Sequence, residues 1–472
     1  MLAISHTHAG EIVPVRVRVL YGAGGICDSV KSVASGLYLL FFYTTVLGLP
    51  GRLVGIAAAL GLLWDALSDP IIGGLSDGSR SSLRRHGWMA AGAVGMAAGF
   101  IALFTPPAGL STRQLFAWLL GTSVLLRTSQ SMFTVPYYAL GAELSPTYDG
   151  RTMVAGYRAA AIQVGAMIAS GLAAALFFPA ATGAGSRFAA ESYASMAVTL
   201  GVLMCGAGVV ATAGTWRFRT EPGGSRSVGP KAPWKAVVRN RSFALLAGAN
   251  IAYFLAMVFS AVLLIYFLTY YAGIESGRII GLCQFALYGG AIAGTLGWTQ
   301  LAREFDKHRL YFAAGMVLAG LLAGLFWVAA PGLLNEQTRY AVLVFGHAAI
   351  GATAAGPAVL APSMLADVAE EHELLSGHRS DGMFFGVFSA GQQIATGLAA
   401  ALAGSLVDGY AGLVPGSTVQ SAATAARVGV LACFLPGALV LVSAGIILAY
   451  NLTRHRVSLV QRRLIEQRIC AH

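Results

Sequence analysis

Charge is scarce in this chain of 472 residues: Asp, Glu, Lys and Arg make up 11% of it, less than half of the roughly one quarter found in soluble domains. That shortage excludes an ordinary water-soluble fold. Cysteine is scarce as well. Cys27, Cys205, Cys283, Cys433 and Cys470 stand far apart with no CxxC pair, which excludes a disulfide framework and a thiolate metal site. His372 and His378 in "HELLSGH" lack the i, i+4 spacing of a helical zinc pair, and the tract reads as a solvated loop. "GAGGIC" at Gly22 lacks the strand before it and the acid after it that a dinucleotide fingerprint requires. "NLT" at Asn451 falls on the side of the membrane where no glycosylation is expected. No nucleophile, base and acid are grouped anywhere, so neither an enzyme nor a resident cofactor is expected.

What the chain has instead is apolar length. Hydrophobic residues make up 56%, glycines number 59 and the mean hydropathy is +0.69, which identifies an all-α integral membrane protein; β-barrel alternation is absent. Apolar windows predict twelve spans at 20–46, 52–76, 88–106, 113–142, 151–180, 191–214, 242–272, 277–301, 309–330, 339–365, 381–407 and 426–451. The first follows "EIVPVRVRV" and ends without a small-residue cleavage site, so a retained helix is expected. With both termini inside, 22 of the 31 Lys and Arg fall on cytoplasmic segments and the span ends beside them, 6 on outer loops and the span ends beside them, and 3, Lys31, Arg127 and Arg158, in span interiors. The net charge of +11 is thus an orientation signal and not a nucleic-acid footprint. The expected location is a cell membrane, a bacterial inner membrane, with both termini cytoplasmic.

The hydrophobic run breaks once. "WRFRTEPGGSRSVGPKAPWKAVVRNR", from Trp216 to Arg241, is basic and rich in Gly and Pro, as a linker between two bundles is. "GRLVG" at Gly51 and "GRIIG" at Gly277 open the second and eighth spans, 226 residues apart, which points to duplication. The expected organisation is an N-terminal six-helix bundle over 1–215, a linker over 216–241, a second bundle over 242–452 and a cytoplasmic tail over 453–472.

Two acids sit inside the second span, in "LLWDALSDPIIGG". Residues at i and i+4 are about 40° apart around a helix and about 6 Å apart along it, so Asp65 and Asp69 share a face and can share a small cation, a sodium ion or a proton. Pro70 removes a backbone donor and loosens the turn beside them. The alternative is that the acids pair with Lys31, Arg127 or Arg158 and only hold helices together, although intramembrane carboxylates are functional by default. Asp77, Arg80, Arg84 and Arg85 form a charged turn at the end of the same span, either a conformational gate or a solvated loop that fixes orientation.

"WDALSDPIIGGLSD" with "RRHGW", "VPYYALGAELSPTYDGRTMVAGYR" and "ADVAEEHELLSGHRSDGMFFGVFSAGQQIATG" together resemble the glycoside-pentoside-hexuronide:cation symporters, the melibiose-carrier branch of the major facilitator superfamily. The resemblance covers nearly the whole chain. It implies a major facilitator fold with twelve transmembrane helices in two six-helix bundles, and solute uptake coupled to sodium or protons by alternating access. The family's cation-site carboxylates match Asp65 and Asp69, and its sugar-contacting arginine matches Arg158. Other positions depart. The family's aspartates fall on Ser29, beside Asp28, and on Thr134; its lysine falls on Gln393; its aromatics become Gln130 and Tyr138, and a tryptophan becomes Ala358.

The resemblance therefore implies cation binding at Asp65, Asp69 and Thr134. It implies substrate binding at Ser29, Gln130, Tyr138, Arg158 and Gln393; the residues themselves add Asp28, beside Ser29, and Lys31, a cation within the first span, as substrate candidates, and Glu143, Arg151, Asp367 and Arg379 as further gate candidates. Loss of two acids with Arg158, Lys31 and Arg127 present favours an organic anion such as a uronide over a neutral glycoside. Lys31 pairing with Asp28, and Arg127 with Glu143 or Asp65, are the structural alternatives. Tyr21, Tyr137, Tyr138 and Tyr253 either stack on a ligand or pack. The expected partners are a small solute, the coupling cation and the bilayer, with the chain monomeric. A carrier of an amphiphile such as a lysophospholipid or steroid-like acid, and an uncoupled facilitator or sensor, are the alternative functions.

Overall fold

The computed structural model describes residues 13–78, 84–144, 148–178, 186–218, 239–376 and 381–470, and the described residues contain no strand. Six long helices form the first half: α1 Val15–Phe41, α2 Gly51–Gly78, α3 Arg84–Phe104, α4 Thr112–Glu143, α5 Tyr148–Met167 and α6 Ala190–Gly214. The second half contributes α7 Arg241–Tyr266, α8 Gly277–Leu301, α9 Lys307–Ala329, α10 Glu336–Ser376, α11 Asp381–Leu406, α12 Ala422–Leu448 and α13 Arg454–Cys470. Among the described residues, eleven helices are long and apolar enough to cross a bilayer. Of the twelve predicted spans, α4 is the one that fails this criterion. Arg127, Gln130, Ser129, Ser131 and Thr134 dilute its hydropathy, and the same residues make it the helix that carries polar chemistry.

The chain divides into two compact units. The first holds α1 to α6 with the short segments Ser276–Gly281 and Pro415–Thr418, and the second holds the remainder of the later helices. Within the first unit, α1 packs on α5 and α6, α3 packs on α4 and α6, and α2 packs on α4. Within the second, α7 packs on α11 and α12, and α9 packs on α10 and α12. Gly290, Gly294 and Gly351 bring the backbones of α8 and α10 together. The same pairing order thus occurs in both units, as expected of a duplication.

A second sign of repetition lies at the helix ends. α1 continues through a π turn, Phe42–Val46, and α7 through another, Phe267–Tyr271. The Leu49 amide then donates to Tyr43 O at 2.8 Å, and the Ile274 amide to Leu268 O at 2.8 Å. Each turn is closed by a glycine in the left-handed region, Gly48 at φ 74° and Gly273 at φ 63°, where a side chain would be strained.

Two expectations are corrected. The tenth helix runs to Ser376, well past the predicted end at 365, because its polar extension finds partners: Asp367 pairs with Lys307 at 2.6 Å and Glu371 with Arg456 at 2.8 Å. "HELLSGH" is accordingly helical up to Ser376 and not a loop; His372 lies 5.0 Å from the Phe384 ring, and His378 lies outside the described residues. The C-terminal segment also folds. α13 buries Val460 and Leu464, and Gln461 donates to Glu370 at 2.9 Å. Of the predicted linker, 219–238 lie outside the described residues; beyond them the Asn240 side chain accepts from the Phe243 amide at 3.0 Å and starts α7.

α3 and α4 approach each other closely along a stripe of glycines. A Cβ at Gly92 would meet Ser129 O and Phe133 N, one at Gly95 would meet Ser129 Oγ, and one at Gly99 would meet Leu126 Cα at 3.0 Å. Membrane helices gain their packing from such small-residue stripes. Gly92→Val should therefore lower stability by about 1–3 kcal/mol, read as a fall in the thermal unfolding midpoint of the detergent-solubilised protein, whereas Gly74→Ala, at a position with open space, should leave it unchanged.

Candidate functional site

The polar side chains of α1, α2, α4 and α5 form two connected clusters inside the first unit. The first joins α2 to α4. Arg127 Nη1 donates to Asp65 Oδ2, and the Ser131 hydroxyl donates to Asp69 Oδ1. These two contacts lie one helical turn apart on both helices, like rungs of a ladder. The Ser68 hydroxyl lies 3.4 Å from that of Ser131, and Trp64 Nε1 donates to the Thr128 hydroxyl at 2.8 Å. Gly61 makes the first rung possible: it stands one turn before Asp65, and a Cβ there would collide with the Arg127 side chain. α2 remains helical through Pro70.

The second cluster joins α1, α4 and α5. Lys31, which is buried, donates to Gln130 Oε1; Gln130 Nε2 donates to Asp28 Oδ1 at 2.9 Å; and the Tyr138 hydroxyl donates to Asp28 Oδ2 at 2.9 Å. The Arg158 guanidinium lies over the Tyr138 ring, 4.8 Å from its centroid, a distance at which cation and ring attract. Lys31 is within Coulombic reach of Asp28, Asp65, Asp69 and Arg127, so the clusters share one field. Counted as ionised, Asp28, Asp65 and Asp69 balance Lys31, Arg127 and Arg158.

Several candidates take other places. Ser29 is buried, and its hydroxyl donates to Ile26 O at 3.3 Å and faces Gly165, which makes it part of the α1–α5 packing. Thr134 donates to Gln130 O of its own helix at 2.9 Å; it is Ser131 that reaches the carboxylates. Lys31 and Asp28 do not pair directly but through Gln130, and the partner of Arg127 is Asp65. Tyr21 and Tyr137 are fully buried and stacked at 4.5 Å, with Tyr253 bonded to Ala354 O at 2.7 Å, so these three pack. Tyr138, at 42% exposure, remains open to a ligand. Gln393 is an exposed residue of α11 in the second unit.

Of the gate candidates, Asp367 pairs with Lys307 at 2.6 Å and Arg85 is half-buried. Arg80 and Arg379, and the side chains of Asp77, Arg84, Glu143 and Arg151, lie outside the described residues. Sequence reasoning passed over Ser68 and Ser131. The available signal was their register, since Ser131 follows Arg127 by one turn as Asp69 follows Asp65.

An intramembrane ladder of acids, hydroxyls and a guanidinium, with a second polar chain beside it, offers oxygen ligands suited to a small cation and donors suited to a polar solute. Residues 20–454 match the family described as MFS/sugar transport protein. The chain belongs to that family. Its relatives include an uncharacterized symporter of Synechocystis sp., 26% identical over 93% of this chain and 95% of that one. Another is a putative glycoside/cation symporter of Escherichia coli, 24% identical over 96% of this chain and 95% of that one. The crystal structure of a D-xylose-proton symporter superposes with a TM-score of 0.63 at 14% identity, over 92% of this chain and 97% of that one, which establishes the major facilitator fold. The protein is a multi-pass membrane transporter and not an enzyme.

Gln130 is the joint of the second cluster, since it satisfies an ammonium and a carboxylate at once. Gln130→Leu leaves Lys31 without its acceptor and Asp28 with the Tyr138 hydroxyl alone, and should cost about 1–3 kcal/mol. A depressed unfolding midpoint in detergent is the expected reading; an unchanged midpoint would show that Lys31 and Asp28 find each other without it.

Proposed function

We propose that this transporter is a cation-coupled symporter that takes up a sugar derivative carrying an anionic group, by alternating access. The coupling cation, a sodium ion or a proton, binds at Asp65 and Asp69 with the Ser68 and Ser131 hydroxyls. The solute binds along Asp28, Lys31, Gln130, Tyr138 and Arg158. The observation that carries this reading is the pair of carboxylates in an apolar helix, each facing a donor on α4. Carboxylates are kept at such depth where an ion or proton must be held. The names of the two relatives support symport, and that of the second supports a glycoside-like solute with a cation. The asymmetry of Lys and Arg supports an inner-membrane location with cytoplasmic termini. The charged helix ends, including Asp367 paired with Lys307, act as the gate, together with Asp77, Arg80, Arg84, Arg85, Glu143, Arg151 and Arg379.

The anionic preference rests on Arg158. Its guanidinium lies over the Tyr138 ring, and its planar fork suits a carboxylate or sulfonate in a way that an ammonium does not. Arg158→Lys should weaken solute binding by about tenfold, or 1.4 kcal/mol, despite retaining the charge; competition assays in proteoliposomes with anionic sugars, neutral glycosides and lysophospholipids measure this. A preferred solute without negative charge would overturn the assignment.

Coupling has its own test. Asp69→Asn should abolish accumulation driven by a sodium or pH gradient while solute exchange between equal concentrations continues. Uphill uptake at the wild-type level in this variant would refute a coupling site at the acidic pair, and separate sodium and pH gradients identify the ion.

A further inference from the structure

Arg127 occupies a carboxylate that the coupling cation needs. Its guanidinium donates to Asp65 Oδ2, and its shaft lies along the α2 backbone at Gly61, where any larger residue would displace it. The seat is built on both helices. Trp64 holds α2 to Thr128 at 2.8 Å immediately beside Arg127, and Ser131 holds Asp69 one turn further along. A cation that bridges Asp65 and Asp69 must take the Asp65 oxygen to which Arg127 donates, so guanidinium and cation exclude each other there.

From this exclusion we propose that Arg127 is an internal competitor of the coupling cation and the residue that sets its affinity and selectivity. In the state seen here Arg127 neutralises Asp65, and binding of a cation requires that it swing away. Apparent affinity is then the intrinsic affinity multiplied by the fraction of molecules whose Asp65 is free. If the pair is formed in nine molecules of ten, affinity falls about tenfold. The competition also discriminates between ions. An ion that needs both carboxylates, as a metal cation seeking several oxygens does, meets the competitor, whereas one satisfied by Asp69 and Ser131 alone does not.

This inference rests on the coupling site proposed above but is tested without transport. Sodium chloride is titrated calorimetrically into the full-length protein in nanodiscs at fixed pH and ionic strength, with choline chloride as the control. The proteins are wild type, Arg127→Gln, Arg127→Lys, and Arg127→Gln combined with Asp65→Asn. Arg127→Gln should bind sodium at least about tenfold more tightly than wild type. Arg127→Lys, whose single ammonium lacks the planar fork, should fall between the two. The double variant should lose the gain, which places it at Asp65. Where Arg127→Gln fails to yield folded protein, judged by its unfolding transition, the comparison of wild type with Arg127→Lys decides alone. Sodium binding no tighter in the Arg127 variants, or a gain that survives Asp65→Asn, overturns the competition. Failure of the coupling-site reading looks different: gradient-driven accumulation persists in Asp69→Asn whatever sodium does at Arg127.

Discussion

Two carboxylates cannot stand in an apolar helix without partners, and the first unit is organised around supplying them. Asp65 and Asp69 lie on one face of α2, so whatever answers them must also repeat at one turn on a neighbouring helix. α4 does this with Arg127 and Ser131. The requirement explains why α4 is the helix too polar to register as a membrane span, and why α2 keeps a glycine at position 61 where the guanidinium must pass. An isolated ion in such surroundings would cost several kcal/mol, so the partner chemistry and the helix pairing are one constraint.

The same helix ties the two clusters together. Arg127 and Ser131 face α2, while Gln130 and Tyr138 face Asp28 on α1, with Arg158 of α5 over the Tyr138 ring. A rotation or shift of α4 that loosened Asp65 would therefore also move the groups that hold Asp28. Linkage between an ion and a solute requires a shared element whose equilibrium both sites bias, and α4 is physically placed to be that element. Lys31, within electrostatic reach of all three acids, adds a second connection that needs no movement at all.

How much of this was legible in the sequence follows from what is local and what is not. Hydropathy belongs to a single window, and the twelve predicted spans correspond to twelve long helices among the described residues. The acidic pair was equally plain, because i, i+4 geometry is fixed by the helix. Partner choice was not, since it depends on how two helices are rotated against each other. Arg127 stood among several possible partners of Asp65, resemblance pointed to Thr134 while Ser131 went unmarked, and Ser29 was turned by α1 into packing against Gly165. The extension of α10 was hidden for a related reason. Its acidic residues look like a solvated loop until Lys307 and Arg456, distant in sequence, neutralise them.

α4 faces a difficulty in the bilayer that the other helices do not. Its polar side chains weaken the apolar contacts that would otherwise hold it, yet a binding site needs it rigid. The structure answers from the opposite side. α3 presents Gly92, Gly95 and Gly99 to Ser129, Phe133 and Leu126, so the two backbones approach more closely than any side chain on α3 at these positions would permit. Dispersion contacts at that range are many and short, and they substitute for the lost hydrophobic area. α4 is thus gripped by packing on its α3 side and by charge on its α2 side. The first grip does not depend on ions; under the proposed coupling site the second does, so that exchange of a cation for the Arg127 guanidinium would reset one face of the helix while the other holds it in place.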